Sequence, residues 1–569
     1  MKDLLAALVR DALAGAIAAG EVALPEPPAI DLERPRDPAN GDWATNVALV
    51  SAKEARIAPR ALADIIAGRI AGHPDVAAVE VAGPGFINLR LSDAAIQSVV
   101  ARVREAGAAW GRVDLGHGKR VQVEFVSANP VGPLHVGHGR WAALGDSMAR
   151  VLAHAGWEVQ REFYVNDAGV QMDIFAKSVA ARYLEHCGVP VPFEDEWYQG
   201  TYIAEIADEI CEQEGDVWAG ADPARREAHF KEKAYAQVLE HLEHVLHGMG
   251  VDFDVWFSER SLHVKDADDR DAVDRAIETL RDASYVYVQD GAIWFSSTRF
   301  PEYGDDKDRV LRKSDGELTY FASDIAYHAD KFGRGFDRVI DIWGADHHGY
   351  VARMKAACAA LGYPGQVEMV IGQLVTLMRN GEVVRMSKRT GEMVTFEELL
   401  DEVGADAARY FFLRRSTDQP LDFDIGLAKE QSSENPVFYV QYAHARICSI
   451  LRKAAGTPDA TDPADVTAAR VVPADADLSL LTDPSELTLL RKLAELPEVV
   501  EEAAERLAPH KLTTYAEDLA AVFHQFYTQC QVVSDDAALM GARLALVDAS
   551  RITLATVLGL LGVGAPERM

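Results

Sequence analysis

The chain has 569 residues, 49% of them hydrophobic, and a net charge of −32. That length exceeds what one core organises, so three or four domains are expected, and so much acidic charge excludes a protein that coats nucleic acid non-specifically, because phosphate binding rests on Lys and Arg. No uninterrupted apolar run approaches the roughly 20 residues of a membrane span, and Met1 to Val9 lacks a signal-peptide layout, which together predict a cytoplasmic protein without a membrane partner.

The first unit, 1–112, reads as an α+β module: a helix from Lys2 to Ala19, a Pro-rich connection, a helix from Ala61 to Ala71, and strand signals ending in Phe86-Ile87-Asn88-Leu89-Arg90. Within it, Gly41-Asp42-Trp43-Ala44-Thr45-Asn46 and Gly83-Pro84-Gly85-Phe86-Ile87-Asn88 read by composition alone as turns beside a core Trp and Phe.

From about 113 to 400 strand and helix patterns alternate, as a doubly wound parallel sheet requires. The strand-like run Val121 to Val126 enters Ser127-Ala128-Asn129-Pro130-Val131-Gly132-Pro133-Leu134-His135-Val136-Gly137-His138-Gly139-Arg140. Pro133 suits a first helical turn, and Trp141, Leu144, Met148, Val151 and Leu152 follow at helical spacing. A helix start favours phosphate, and Gly132, Gly137 and Gly139 let a base or phosphate approach the backbone. His135 and His138 share one face and can donate hydrogen bonds to oxygens that gain charge. Alone, such a pair is more often structural or half of a metal site.

Next, Glu162 to Gly169 reads as a strand into a helix start, where Asn166 or Asp167 is placed to cap the helix or touch ligand, capping being the expected use. The acidic stretch 185–235, with its Trp and Tyr residues, reads as an insertion without assigned chemistry. Tyr320 and Asp324 stand four apart on one helical face. An apolar strand, Val339 to Trp343, ends in Gly344-Ala345-Asp346-His347-His348; Gly344 permits close approach, and Asp346 can accept hydrogen bonds from sugar hydroxyls. A metal site there is disfavoured because adjacent histidines converge poorly. Val384-Arg385-Met386-Ser387-Lys388-Arg389-Thr390-Gly391 is a cation-bearing loop. Beyond 401 the pattern is helical, with Ala454 to Asp477 as a surface linker. The five cysteines, Cys187, Cys211, Cys358, Cys448 and Cys530, form no CxxC pair, so neither a disulfide framework nor a cysteine zinc site is expected.

The HVGH run and the Met386-Ser387-Lys388 loop together resemble the HIGH and KMSKS signatures of class I aminoacyl-tRNA synthetases. The stretch Ser127 to His138 is similar nearly residue for residue to the arginyl family, and the likeness extends from the first hundred residues to Ala565-Pro566-Glu567-Arg568-Met569. The resemblance implies a Rossmann-type catalytic domain at 113–400, an N-terminal α+β module at 1–112 contacting tRNA, and an all-helical anticodon-binding domain at 401–569. It implies ligation of L-arginine to tRNA(Arg) through an arginyl-adenylate, with ATP and its Mg²⁺, no structural zinc, and a monomer. By position it assigns catalysis to His135, His138, Met386, Ser387 and Lys388. ATP binding falls to Gly132, Pro133, His135, Gly137, His138, Gly344, Asp346, Met386 and Lys388. Arginine binding falls to Glu124, Ser127, Asn129, Tyr320, Asp324 and His348, and tRNA contact to Asn46, Tyr439, Gln441 and Arg446. A guanidinium wants carboxylates in its plane, which suits Asp324 and Glu124; Glu124 read alone is equally a strand-end residue in a salt bridge. Arg385 and Arg389 depart from the consensus lysine and serine. Other class I enzymes fit less well, since there is no large editing insertion and no zinc-ligand cysteine set. With −32 charges overall, a tRNA partner requires basic and acidic surface to be segregated.

Overall fold

The computed structural model describes residues 1–35, 37–384, 394–457 and 472–569. The N-terminal region runs α1 (Lys2–Ala18), β1 (Trp43–Thr45), α2 (Val47–Ala55), α3 (Pro59–Ile70), β2 (Val76–Ala82), β3 (Phe86–Leu91) and α4 (Asp93–Ala106). Its antiparallel sheet has β3 in the middle, and α1 buries Leu5, Val9, Ala12, Leu13 and Ala16, a single apolar stripe laid against α3. By contrast, α4 faces the far end of the chain: Gln97 Nε2 donates to the Leu481 carbonyl at 3.0 Å, and Arg104 Nε meets Asp548 Oδ2 at 3.3 Å.

The central region runs β4 (Arg120–Glu124), α5 (Val136–His154), β5 (Glu158–Val165), α6 (Val170–His186), α7 (Thr201–Glu214), α8 (Pro223–Gly248), β6 (Val255–Ser258), α9 (Ala272–Asp282), β7 (Val286–Gln289), β8 (Ala292–Phe295) and β9 (Arg309–Arg312). It continues with α10 (Tyr320–Gly333), β10 (Arg338–Gly344), α11 (Val351–Ala360), β11 (Val367–Gly372), β12 (Val375–Arg379) and β13 (Glu382–Val383). Five of these strands form one wholly parallel sheet in the order β11-β10-β4-β5-β6. The chain moves outward from β4 in one direction, then returns to start β10 on its other side. That reversal opens a crevice at the carboxyl ends of β4 and β10, where ligands of such sheets bind. The acidic insertion is α7 and the first part of α8, packed on α6.

The last region runs α12 (Phe396–Val403), α13 (Ala405–Leu413), β14 (Leu421–Asp424), α14 (Ile425–Lys429), α15 (Pro436–Ala454), α16 (Pro484–Ala494), α17 (Leu496–Glu505), α18 (His510–Gln529) and α19 (Ala537–Leu561). By length and composition α19 could cross a membrane, yet 72% of its apolar window is buried inside the protein. It packs against α4, α5, α15 and α18 as the core helix of a bundle. Arg543, Asp548 and Arg551 interrupt its apolar run, and each is paired, Arg543 with Glu486 at 2.7 Å and Arg551 with Asp548 at 2.9 Å.

Three local expectations are corrected. The strand expected over 121–126 ends at Glu124, because Val126 and Ser127 adopt left-handed backbone (φ 68° and 44°) and turn the chain sharply. Pro133 precedes the helix, which begins at Val136 with His135 as its N-cap. Neither Asn166 nor Asp167 caps α6; Gly169 does. Asp167, almost fully buried, instead accepts from the Ser258 hydroxyl at 2.6 Å and the Arg260 backbone N–H at 3.1 Å, tying β5 to the end of β6.

Candidate active site

Two chain ends meet at the crevice. On the β4 side, the left-handed turn at Val126 and Ser127 is strained for non-glycine residues, and Ser127 fastens it: its hydroxyl donates to Glu124 Oε1 at 2.8 Å and accepts from the Tyr164 N–H at 3.2 Å. Asn129 is exposed on the loop, and Gly132 and Pro133 are half-buried. The loop delivers His135 and His138 to the mouth of α5, with their rings stacked 3.6 Å apart. His138 Nδ1 accepts from the His135 backbone N–H at 3.2 Å, which assigns the proton of a neutral His138 ring to Nε2. The start of α5 thus presents a hydrogen-bond donor beside backbone N–H groups and a positive helix end, the chemistry an anionic phosphate needs.

On the β10 side, Gly344 and Gly372 are register partners at the strand ends. The indole of Trp141, one turn into α5, covers both. A Cβ on Gly344 would approach that ring to 3.2 Å and Asp346 Oδ1 to 2.6 Å, and one on Gly372 would collide with the indole nitrogen. Glycine is what lets α5 lie this close to the sheet. Asp346, His347 and His348 follow on an exposed 3-10 turn (Ala345–Tyr350). Among the described residues, no group of three or more His, Cys, Asp or Glu side chains is placed to hold a metal ion.

Met386, Ser387 and Lys388 lie outside the described residues. The chain that follows them returns to the site: Thr395 bridges to His135, and the Phe396 N–H donates to the Leu134 carbonyl at 2.9 Å.

Beside the crevice, the N-terminal end of α10 offers Tyr320, 77% exposed, and one turn on Asp324, whose Oδ2 accepts from the Tyr350 hydroxyl at 2.6 Å. Burial pushes the Asp324 carboxyl up. Burial, then the charges of Asp324 and Asp167, push Glu259 up to about 7. Among the described residues neither of these neighbouring acids has a Lys or Arg salt-bridge partner, and a cationic ligand would relieve both. Sequence reasoning missed Glu259; the available signal was a carboxylate directly after the strand-like run Val255-Trp256-Phe257-Ser258, at the sheet edge where ligands bind.

Glu124 is placed differently from the expectation. Its Oε2 is held by Lys331 Nζ at 2.5 Å, and the same ammonium, fully buried, contacts Asp341 Oδ1 at 2.6 Å. Asp341 in turn pairs with His328 Nε2 at 2.8 Å, and His328 Nδ1 meets the Asp324 carbonyl at 2.7 Å. Glu124 is therefore the salt-bridged strand-end residue, part of a buried charge network under the pocket that fixes the backbone of Asp324. Replacing Lys331 with Met should leave Glu124 and Asp341 without their shared buried cation and cost about 3 to 5 kcal/mol of stability, read by chemical denaturation.

In the helical bundle, Gln441 departs from its expected place on the RNA side. It is buried, and its amide donates to Asp406 Oδ2 at 2.7 Å and the Gly564 carbonyl at 2.9 Å, holding the C-terminal tail. The outward positions of α15 are Tyr442, exposed, and Arg446, which lies 4.9 Å above the Tyr442 ring and donates to its hydroxyl at 2.7 Å. Tyr439 is half-buried against His524. Asn46 stands exposed at the start of α2.

Known proteins match the whole chain. Three family models align in succession: the arginyl tRNA synthetase N terminal domain over 3–91, the catalytic domain of tRNA synthetases class I (R) over 103–420, and the DALR anticodon binding domain over 440–569. An arginine-tRNA ligase of Heliobacterium modesticaldum is 50% identical over 99% of this chain and 98% of its own, and one of Moorella thermoacetica 50% identical over 100% and 99%. The solved arginyl-tRNA synthetase of Thermus thermophilus superposes with a TM-score of 0.73 at 25% identity, covering all of both chains.

Proposed function

The chain belongs to the arginyl-tRNA synthetases of class I, and from that premise we propose how its residues divide the work. The enzyme uses ATP to activate L-arginine and transfers it to tRNA, a reaction of translation. An arginine carboxylate oxygen attacks the α-phosphorus of ATP, the bond to the β-phosphate breaks, and pyrophosphate leaves. No protein nucleophile is required, so positioning and charge neutralisation carry the step.

In this reading His135 and His138 steady the α-phosphate, His138 through Nε2, while the backbone at Gly132, Pro133 and Gly137 admits the nucleotide. Gly344 and Asp346 take the adenosine ribose. Met386, Ser387 and Lys388 act on the triphosphate, with Lys388 following the departing pyrophosphate. Mg²⁺ would arrive on the ATP phosphates. Asp324 and Glu259 pair with the guanidinium, Tyr320 covers it, and Asn129 and His348 face the amino-acid end, with Ser127 and Glu124 setting the loop. The 2′-hydroxyl of the terminal tRNA ribose then attacks the adenylate carbonyl. Asn46 and the Tyr439, Tyr442 and Arg446 surface meet tRNA, aromatic rings and a guanidinium being what unpaired bases stack on. Units at 1–112, 113–400 and 401–569, a cytoplasmic monomer, and activation that waits for tRNA complete the reading.

The observation that carries the choice of arginine is the pair Asp324 and Glu259, which has no Lys or Arg salt-bridge partner among the described residues. Citrulline, which replaces the guanidinium by a neutral urea, should compete with arginine at least about a hundredfold more weakly, a difference of about 3 kcal/mol; comparable competition would remove arginine from this pocket. A pH dependence follows as well. Burial and the neighbouring Asp324 and Asp167 push the Glu259 carboxyl up to about 7, and arginine binds its carboxylate form, so binding below that pH expels a proton. The KM for arginine should be flat above pH 7 and rise as pH falls below it, to about tenfold higher at pH 6 than at pH 8. Glu259→Gln should flatten that slope, and a slope that survives the substitution would reject Glu259 as its source.

A further inference from the structure

The acidic helical insertion carries two cysteines that the chemistry above does not use. Cys187 ends α6 and Cys211 lies near the end of α7, and both are half-buried, whereas Cys358, Cys448 and Cys530 are buried. Two contacts between these helices fix their relative position. The Tyr183 hydroxyl donates to the Gly215 carbonyl at 2.5 Å, and His186 Nδ1 lies 2.7 Å from Asp208 Oδ1. Residue numbers thus rise along α6 as they fall along α7, in an antiparallel pair. Cys187 lies next to His186, and Cys211 stands one turn on from Asp208, so both cysteines border the same contact between α6 and α7.

We propose that Cys187 and Cys211 form an oxidisable dithiol, a modification site that closes to a disulfide on reaction with a low-molecular-weight disulfide. The thiolate of Cys187 attacks one sulfur of the small disulfide, breaking its S–S bond and releasing one small thiol. The thiolate of Cys211 then attacks the Cys187 sulfur of the mixed disulfide, releasing the second. Two electrons pass from the protein to the small disulfide, and the two cysteine protons end on the released thiols. Burial, with the Cys187 thiol alongside, pushes the Cys211 thiol up, which leaves the first attack to Cys187. The bond would staple the end of α6 to α7. The first turn of α7 carries Tyr202, whose hydroxyl donates to the Val131 carbonyl of the signature loop at 2.9 Å, so the staple anchors the helix that braces that loop. The competing account is two small apolar residues filling a helix interface, without reactivity toward each other.

The test uses the full chain incubated with oxidised glutathione, quenched with N-ethylmaleimide and mapped by mass spectrometry under non-reducing conditions. The expected result is a Cys187 peptide linked to a Cys211 peptide within one chain, loss of maleimide labelling at both, recovery with a thiol reductant, and no glutathione on the three buried cysteines. Cys211→Ser should convert the product to a single glutathione adduct on Cys187, and Cys187→Ser should leave Cys211 open to maleimide. Maleimide on both cysteines after oxidation, glutathione adducts without a link in the wild-type chain, or a link only between chains would each overturn the proposal. The wild-type map decides without the variants.

Discussion

Replacing His138 with Ala is expected to slow arginyl-adenylate formation by roughly a hundredfold to a thousandfold, the usual loss of about 2.7 to 4 kcal/mol when one aimed donor to developing charge is removed. The cause is local. The His135 backbone N–H occupies Nδ1, so the ring's proton is on Nε2, the nitrogen assigned to the α-phosphate. Two variants separate that role from packing. His138→Gln carries an amide N–H at about the distance of Nε2 and should recover part of the rate. His138→Asn imitates the Nδ1 side, keeps the backbone contact and should remain slow. Single-turnover formation of the adenylate, with arginine, ATP and tRNA present, is the measurement. Equal rates for the wild type and the Ala variant would remove His138 from the chemistry.

The second large effect is expected at Asp324. Asp324→Asn keeps the size of the side chain and the hydrogen bond from Tyr350 but removes the charge proposed to pair with the guanidinium. Arginine would then meet Glu259 alone, and losing one partner of a desolvated ion pair costs about 3 to 5 kcal/mol. The KM for arginine should rise by two orders of magnitude or more while the KM for ATP stays near the wild-type value. A rise in both would indicate a collapsed site rather than a lost partner.

Much of this site is legible in the sequence because its residue types are local and unusual. The Ser127 to Arg140 run combines two histidines three apart, glycines that only a close approach demands, and an apolar helix behind them, and the structure places each of these at the end of β4. Other parts depend on contacts between segments that local patterns do not encode. Glu259 lies more than a hundred residues from the signature loop and joins Asp324 only when β6 and α10 pack side by side. Lys331 is fully buried between Glu124 and Asp341, a placement that no local pattern signals. Gln441 sits among aromatic and basic residues that suit RNA, but the C-terminal tail folds back and occupies its amide. Pro133 was expected inside the helix because proline favours a first turn; the left-handed turn at Val126 and Ser127 delays the helix until His135 can cap it.

The central claim is that this pocket selects arginine and activates it as an adenylate. ATP-pyrophosphate exchange by the purified chain, run with each of the twenty amino acids in the presence and absence of tRNA, tests it most directly. The expected result is exchange with arginine alone, appearing when tRNA is added. Exchange with a different amino acid would contradict the assignment of Asp324 and Glu259, and the absence of exchange with all twenty, tRNA present, would contradict the activation chemistry itself.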